Sequence, residues 1–246
     1  IKEIVKKFGF DMKKYIFFNC GYVVNTDRGT FFLRKLDYDV SRLLFLHGAK
    51  EYLAKQGFSY TDRYIVSKRG PYVKYNDNIY VMTKWINGKK SSCFHTSKIK
   101  EAARSLAKIH NASRGYIPPK KSQWSSNLGK WQEIFLARCE DFIYIKNLVK
   151  MKSKQNQIDF IFLENVEKAY NMALESVKML QKNGYFELVK EEGKVRFLCH
   201  NNYNLDNIII DNNQIYVVNF DYCKFELRCF DIASFIISNI IKFNWS

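Results

Sequence analysis

Proline is scarce: Pro71, Pro118 and Pro119 are the only three in 246 residues. No stretch is rich in Gly and Ser or in Pro, so nothing reads as a linker between independent modules. Long apolar runs are missing too. Segments such as Phe160 to Leu163 and Ile208 to Ile210 fall well short of the roughly 20 residues that a membrane helix needs. The first residues, Ile-Lys-Glu-Ile, have neither a Met nor the charged-then-apolar layout of a secretory signal, which predicts a trimmed N-terminus and leaves the compartment unread. The six cysteines (Cys20, Cys93, Cys139, Cys199, Cys223, Cys229) form no Cys-x-x-Cys pair and have no His partner at zinc spacing. Reduced, mostly buried thiols are the expectation, and Cys223 with Cys229 lacks the further ligands that a metal site requires.

What is present supports one compact unit. Hydrophobic residues make up 47% and aromatics 16% of the chain, enough apolar surface to close a large core and to set disorder aside. Forty Lys and Arg against 24 Asp and Glu give a formal +16, which favours polyanionic partners of some kind. Pairs such as Lys6-Lys7, Lys13-Lys14, Lys89-Lys90 and Lys120-Lys121 are spread along the chain without a recognition-helix pattern. That spread argues for a solvated basic surface over a nucleic-acid site.

Periodicity orders the elements. Tyr15 to Val24 and Thr30 to Leu36 alternate as β-formers around the turn cluster Asn25 to Gly29, predicting a hairpin. A helix is predicted from Ser41, as its cap, to Gln56, with Leu43, Leu44, Leu46 and Leu53 on or near one face and Gly57 ending it. A second hairpin joins Tyr72 to Tyr75 with Ile79 to Lys84 across Asn76-Asp77-Asn78. Trp85-Ile86-Asn87-Gly88 breaks this pattern. Helices are then predicted at Ser97 to Asn111, Leu128 to Lys150 and Asp159 to Lys182, followed by a hairpin from Ile208 to Asp211 and Gln214 to Val218, and a last helix from Asp231 to Phe243. The layout is α+β and bilobal: a β-rich lobe over residues 1–84, a hinge at 85–89, and a helical lobe over 90–246.

The segment Cys199-His200-Asn201-Asn202-Tyr203-Asn204-Leu205-Asp206-Asn207, followed by Val217-Val218-Asn219-Phe220-Asp221, resembles the core of aminoglycoside and choline phosphotransferases, whose pattern is His-x-Asp-x-x-x-x-Asn, a short hairpin, then Ile-Asp-Phe. Trp85-Ile86-x-Gly88, the run Leu106 to Tyr116 and Asn219-Phe220-Asp221 resemble in particular the CotS spore-coat proteins of that protein-kinase-like superfamily. The resemblance covers essentially the whole chain. Members usually continue for further helices, so it implies a truncated or partly ordered C-terminus at Ser246. It also implies that Asp231 buttresses the loop at His200, that Arg34, with Lys35 on the opposite strand face, stands where a cation meets nucleotide phosphates, and that Met82, Trp85 and Ile86 stand where a base would lie. The family's helix glutamate has Glu51 as its one acidic candidate here.

Two substitutions change the chemistry. Phosphoryl transfer to an alcohol uses one carboxylate to orient the hydroxyl and another to hold Mg²⁺. Asn202 and Asn219 occupy those places with neutral amides, which have no basic oxygen near neutral pH and offer a poor ligand to a hard cation. Asn207 is retained, and Asp206 or Asp221 could supply the missing charge. The leading expectation is a pseudokinase-like structural protein of the spore coat, made in the mother-cell cytoplasm. It would use no cofactor and dock other coat proteins or acidic surfaces, with Asn207, Asn219 and Asp221 as weak metal candidates. The alternatives are an ATP- and Mg²⁺-dependent small-molecule phosphotransferase, and nonspecific polyanion or nucleic-acid binding. His110 reads as a packing or hydrogen-bonding residue, and Trp85 equally as a core aromatic or a base-facing one.

Overall fold

Strand alternation sorts the first hundred residues into two faces. In a computed structural model that describes residues 1–90 and 96–242, three strands follow a short helix α1 (Lys2–Lys7): β1 (Met12–Phe18), β2 (Gly21–Thr26) and β3 (Gly29–Lys35). After helix α2 (Val40–Lys55) come β4 (Val73–Tyr75) and β5 (Asn78–Lys84). The five strands form one antiparallel sheet in the order β1-β2-β3-β5-β4. On β3, Phe31 and Leu33 turn to one face, where they bury with Ile4, Val5, Phe8, Val24, Val73 and Met82. Phe32 and Arg34 therefore point to the other face.

The chain divides into two compact units, Ile1–Ser126 with Arg196–Ser246, and Asn127–Val195. The first also contains β6 (Lys89–Lys90), helix α3 (Thr96–Ser113), β7 (Leu198–Cys199), the hairpin β8 (Ile208–Asp211) and β9 (Gln214–Val217), β10 (Lys224–Phe225) and helix α7 (Arg228–Lys242). β6 pairs with β8, and β7 with β10. Gly88 enters β6 so closely that a Cβ there would sit 2.3 Å from the Ile210 carbonyl oxygen, so the strand pairing demands a glycine. The second unit is helical: α4 (Trp131–Lys150), α5 (Gln157–Lys182) and α6 (Tyr185–Val195). In it Trp131 stacks on Tyr185 at 5.5 Å, and Cys139, Val149, Val166 and Val177 are buried.

Several boundaries differ from the sequence expectations for local reasons. The expected strand Tyr15 to Val24 is two strands, because Asn19 takes a left-handed φ of 50° and Gly21 passes against the Leu33 carbonyl. Asp39, and not Ser41, holds the N-cap position of helix α2, without a side-chain capping hydrogen bond. Helix α4 starts at Trp131 because Gly129 holds φ +78°. Helix α5 starts before Asp159, which is the reciprocal partner of Asn156 in a capping box. Helices α1 and α6 were not expected, and Gly184 at φ +72° separates α6 from α5. Helix α7 starts at Arg228, before the expected Asp231. Cys93, the expected end of that helix at Phe243, and Ser246 lie outside the described residues.

Candidate active-site remnant

The loop after β7 hangs on one buried carboxylate. Asp231, in the first turn of α7, accepts the His200 main-chain N–H at 2.8 Å, the Asn201 main-chain N–H at 2.8 Å and the His110 imidazole Nε2 at 3.0 Å. Asp231, His200 and His110 are all buried. Cys199 lies close enough to complete a His–Cys–Asp cluster, but both Asp231 oxygens already accept protein donors, which makes the cluster a hydrogen-bonding node. His200 donates from Nε2 to the Val218 carbonyl at 3.0 Å while its Nδ1 accepts the Asn202 N–H at 3.3 Å. One donor and one acceptor define a neutral ring. Burial drives the His200 pKa below its ordinary value, against the pull of Asp231.

The asparagines form one amide chain. The Asn207 Nδ2 donates to the Asn202 carbonyl at 2.8 Å, which fixes the Asn207 Oδ1 toward Asn219, and the Asn219 Nδ2 donates to it at 3.2 Å. Asn204 Nδ2 donates to the Asn202 Oδ1 at 2.8 Å. Asn219 itself sits at φ 65°, ψ 55°, a left-handed conformation that Asn tolerates better than most residues. The structure thus brings His200, Asn202, Asn207 and Asn219 together. Asp206 lies exposed in the intervening turn, its N–H held by the Asn204 Oδ1 at 3.0 Å.

Cations approach this chain from the sheet and from α2. The Arg34 guanidinium meets the Asp221 carboxylate at 2.7 Å, and the Tyr38 hydroxyl donates to the same oxygen at 2.9 Å. Burial raises the Asp221 pKa, but the hydrogen bond and charge of Arg34, with Lys50 and Tyr38 adding to them, bring it below the usual carboxylate range. For Arg34, burial opposes the charged form and the Asp221 partner overcomes it, so its pKa rises. Lys35 is exposed and lines the open cavity beside Asp221. Arg42 donates to the carbonyls of Asp221 at 2.9 Å and Cys223 at 2.5 Å. Glu51 pairs not with Arg34 but with Arg63, at 2.8 Å.

Lys50 is the residue that sequence reasoning passed over. Its ammonium is fully buried, 2.7 Å from the Asp62 Oδ1, donating also to the Asp62 carbonyl at 2.9 Å, and lying 4.0 Å above the Tyr64 ring. The Asp62 Oδ2 in turn accepts the Asn219 N–H at 3.3 Å. Asp62 reaches that position because the chain around it is threaded between two strands: Thr61 bridges Val217, and Tyr64 bridges Thr83. A signal existed. Leu43, Leu46, Lys50 and Leu53 fall on one helical stripe, so the lysine sits at an apolar position.

The base-facing candidates are engaged by the chain itself. Met82 belongs to the core cluster on the far sheet face. Trp85 contacts Phe18 edge-on at 5.2 Å and Phe32 at 6.2 Å, and Ile86 is half-buried. The metal that such a layout implies does not fit the residues present. At the Asn207–Asn219 pair an amide N–H points where a cation needs an oxygen, and Asp62 and Asp221 are each neutralised by an internal cation.

Comparisons with known proteins give the family and the fold. The family model described as "Spore coat putative kinase YutH" matches residues 1–242. Spore coat protein S of Bacillus subtilis is 20% identical over 182 residues, which are 74% of this chain and 52% of that protein. The chain therefore spans about half the length of this curated relative. Among solved structures, an aminoglycoside phosphotransferase from Alicyclobacillus acidocaldarius superposes with a TM-score of 0.82 at 18% identity, over all of this chain and 73% of that one. The AMP-bound complex of a spectinomycin phosphotransferase gives 0.73 at 16% identity, over 99% and 75%. The fold is that of these phosphotransferases. No described helix is long and apolar enough to cross a membrane.

Proposed function

The chain belongs to the spore coat YutH family of kinase-like proteins, and from that premise we propose that it is a non-catalytic coat component that uses the phosphotransferase fold as a binding scaffold. One observation carries the reading. The two positions where phosphotransfer needs carboxylates hold Asn202 and Asn219, and those side-chain amides are hydrogen-bonded to the neutral amides of Asn204 and Asn207. Asn202 has no basic oxygen with which to take a proton from a hydroxyl. Asp221 and Asp62 are the alternative carboxylates here, and their charges are committed to Arg34 with Tyr38 and to Lys50.

The scaffold's charge supports acidic partners. The unit Ile1–Ser126 with Arg196–Ser246 holds 29 basic and 14 acidic residues, a net +15, while the helical unit holds 11 and 10. A potential of that sign steers acidic surfaces toward this unit at low salt. An open cavity of about 780 Å³ beside Asp221 has walls of mixed charge, with Lys35, Arg42 and Lys224 facing Asp37, Asp39 and Asp77, so the support for acidic partners comes from the net charge of the unit and not from this cavity.

The purified chain incubated with γ-labelled ATP, Mg²⁺ and amino-sugar, choline or protein acceptors tests this reading. No transfer above background is expected. Transfer that disappears with Asp221→Asn or Asn207→Ala would instead establish an active phosphotransferase in which Asp221 supplies the missing charge.

A further inference from the structure

Lys50 stands at the centre of a buried column that no catalytic role accounts for. The His200 ring packs against Phe220 at 4.6 Å, the Lys50 ammonium lies 5.7 Å from the Phe220 ring and 4.0 Å from that of Tyr64, and the Tyr64 and Tyr38 hydroxyls meet at 3.4 Å. The Tyr38 hydroxyl closes the path onto Asp221. The column thus runs from the loop at His200, through α2, to the strand side of the groove. Its one buried cation pairs with Asp62, whose other oxygen holds the main chain of Asn219.

A lone buried ammonium is costly, and Lys50 persists here because the partly buried Asp62 carboxylate lies within 3 Å. In a metal-dependent phosphotransferase, loops that carry the acidic residues are held together by the cation they share. Here the positive charge comes on a side chain. It is covalently attached to α2, cannot dissociate, and pairs with the carboxylate that holds the main-chain N–H of the left-handed Asn219.

We propose that Lys50 is a built-in counter-ion that seats the Asn219–Phe220–Asp221 loop through Asp62 and bars a divalent cation from that loop. Lys50 is a positioning residue, and the inference rests on the reading that positions 202 and 219 are degenerate. Its consequence is specific. Restoring the two carboxylates is insufficient to restore a metal site while the ammonium remains, because a divalent ion would enter next to a like charge whose nearest carboxylate is already neutralised.

The test is Mn²⁺ binding followed by electron paramagnetic resonance, with and without ATP, on three proteins: the unaltered chain, Asn202→Asp/Asn219→Asp, and the same pair with Lys50→Met. The first two are expected to leave Mn²⁺ free at micromolar concentration, and the third to bind it at least about tenfold more tightly as the like charge is removed. If Lys50→Met leaves Asp62 unpaired and prevents folding, the charge-neutral pair Lys50→Met/Asp62→Asn in the same background replaces it. A double variant that binds Mn²⁺ tightly with Lys50 in place would overturn the inference, as would a folded Lys50-less variant with no gain. Tight Mn²⁺ binding by the unaltered chain would instead overturn the non-catalytic reading itself.

Discussion

Replacing Asp231 with Ala removes the acceptor for three buried donors at once: the main-chain N–H groups of His200 and Asn201 and the His110 ring. Asp231 has no exposed surface, so water cannot take over without opening the loop. Each stranded donor costs about 1–3 kcal/mol, which puts Asp231→Ala at roughly 3–9 kcal/mol. That is a large share of the roughly 5–15 kcal/mol of a typical domain. With a urea slope of about 3 kcal/mol per molar for a chain of this size, the midpoint should fall by roughly 1–3 M. Tryptophan fluorescence in urea reads the loss, and hydrogen exchange at His200 and Asn201 localises it. Asp231→Asn should cost less, since one oxygen remains, and His110→Ala least. A loss below about 1 kcal/mol for Asp231→Ala, with His200 and Asn201 still protected, would refute the role assigned to this carboxylate.

Stability should also fall on mild acidification, because His200 is buried neutral with its pKa depressed chiefly by burial. The unfolded chain binds that proton more readily, so the His200 contribution is complete above about pH 6.5 and is lost as pH falls toward the folded-state value, at up to about 1.4 kcal/mol per pH unit. Urea melts between pH 7.5 and 5 check this, and His200→Gln should flatten the slope. Asp221, also depressed, contributes stability above the ordinary carboxylate range that is lost only at more acid pH. A double-mutant cycle with Arg34→Met and Asp221→Asn should give a coupling of about 1–3 kcal/mol for this largely shielded pair, and a value near zero would mark the contact as solvent-screened. Gly88→Ala should destabilise by at least about 1–3 kcal/mol, since its Cβ would meet the Ile210 carbonyl at 2.3 Å, with loss of β6–β8 protection in hydrogen exchange.

The motif spacing around His200, Asn207 and Asn219 was legible because a loop, a tight hairpin and a second loop fix those residues at set intervals. The hairpin at Asn212-Asn213 was legible for the same reason, with both residues at positive φ. Less visible were elements whose stability is tertiary. Helix α1 is a six-residue segment that is ordered by burying Ile4 and Val5 against the sheet, and no local periodicity of that length stands out. The two-residue strands β6, β7 and β10 exist only through their partners. Lys50 was passed over although its place on the α2 stripe was readable, because its partner Asp62 is brought near by a segment with no regular structure of its own. The pairing of Arg34 with Asp221, 187 residues away, likewise depends on the fold and not on local sequence.

The claim that this groove is internally neutralised is met most directly by thermal unfolding with millimolar ATP and Mg²⁺. A ligand at a hundredfold over its Kd adds about 2.7 kcal/mol, which for a chain of this size raises the melting temperature by roughly 5–10 °C. The expected result is a melting temperature unchanged within about 1 °C, well below that range. A rise of several degrees that needs both ATP and Mg²⁺ and vanishes with Arg34→Ala or Asn207→Ala would contradict it.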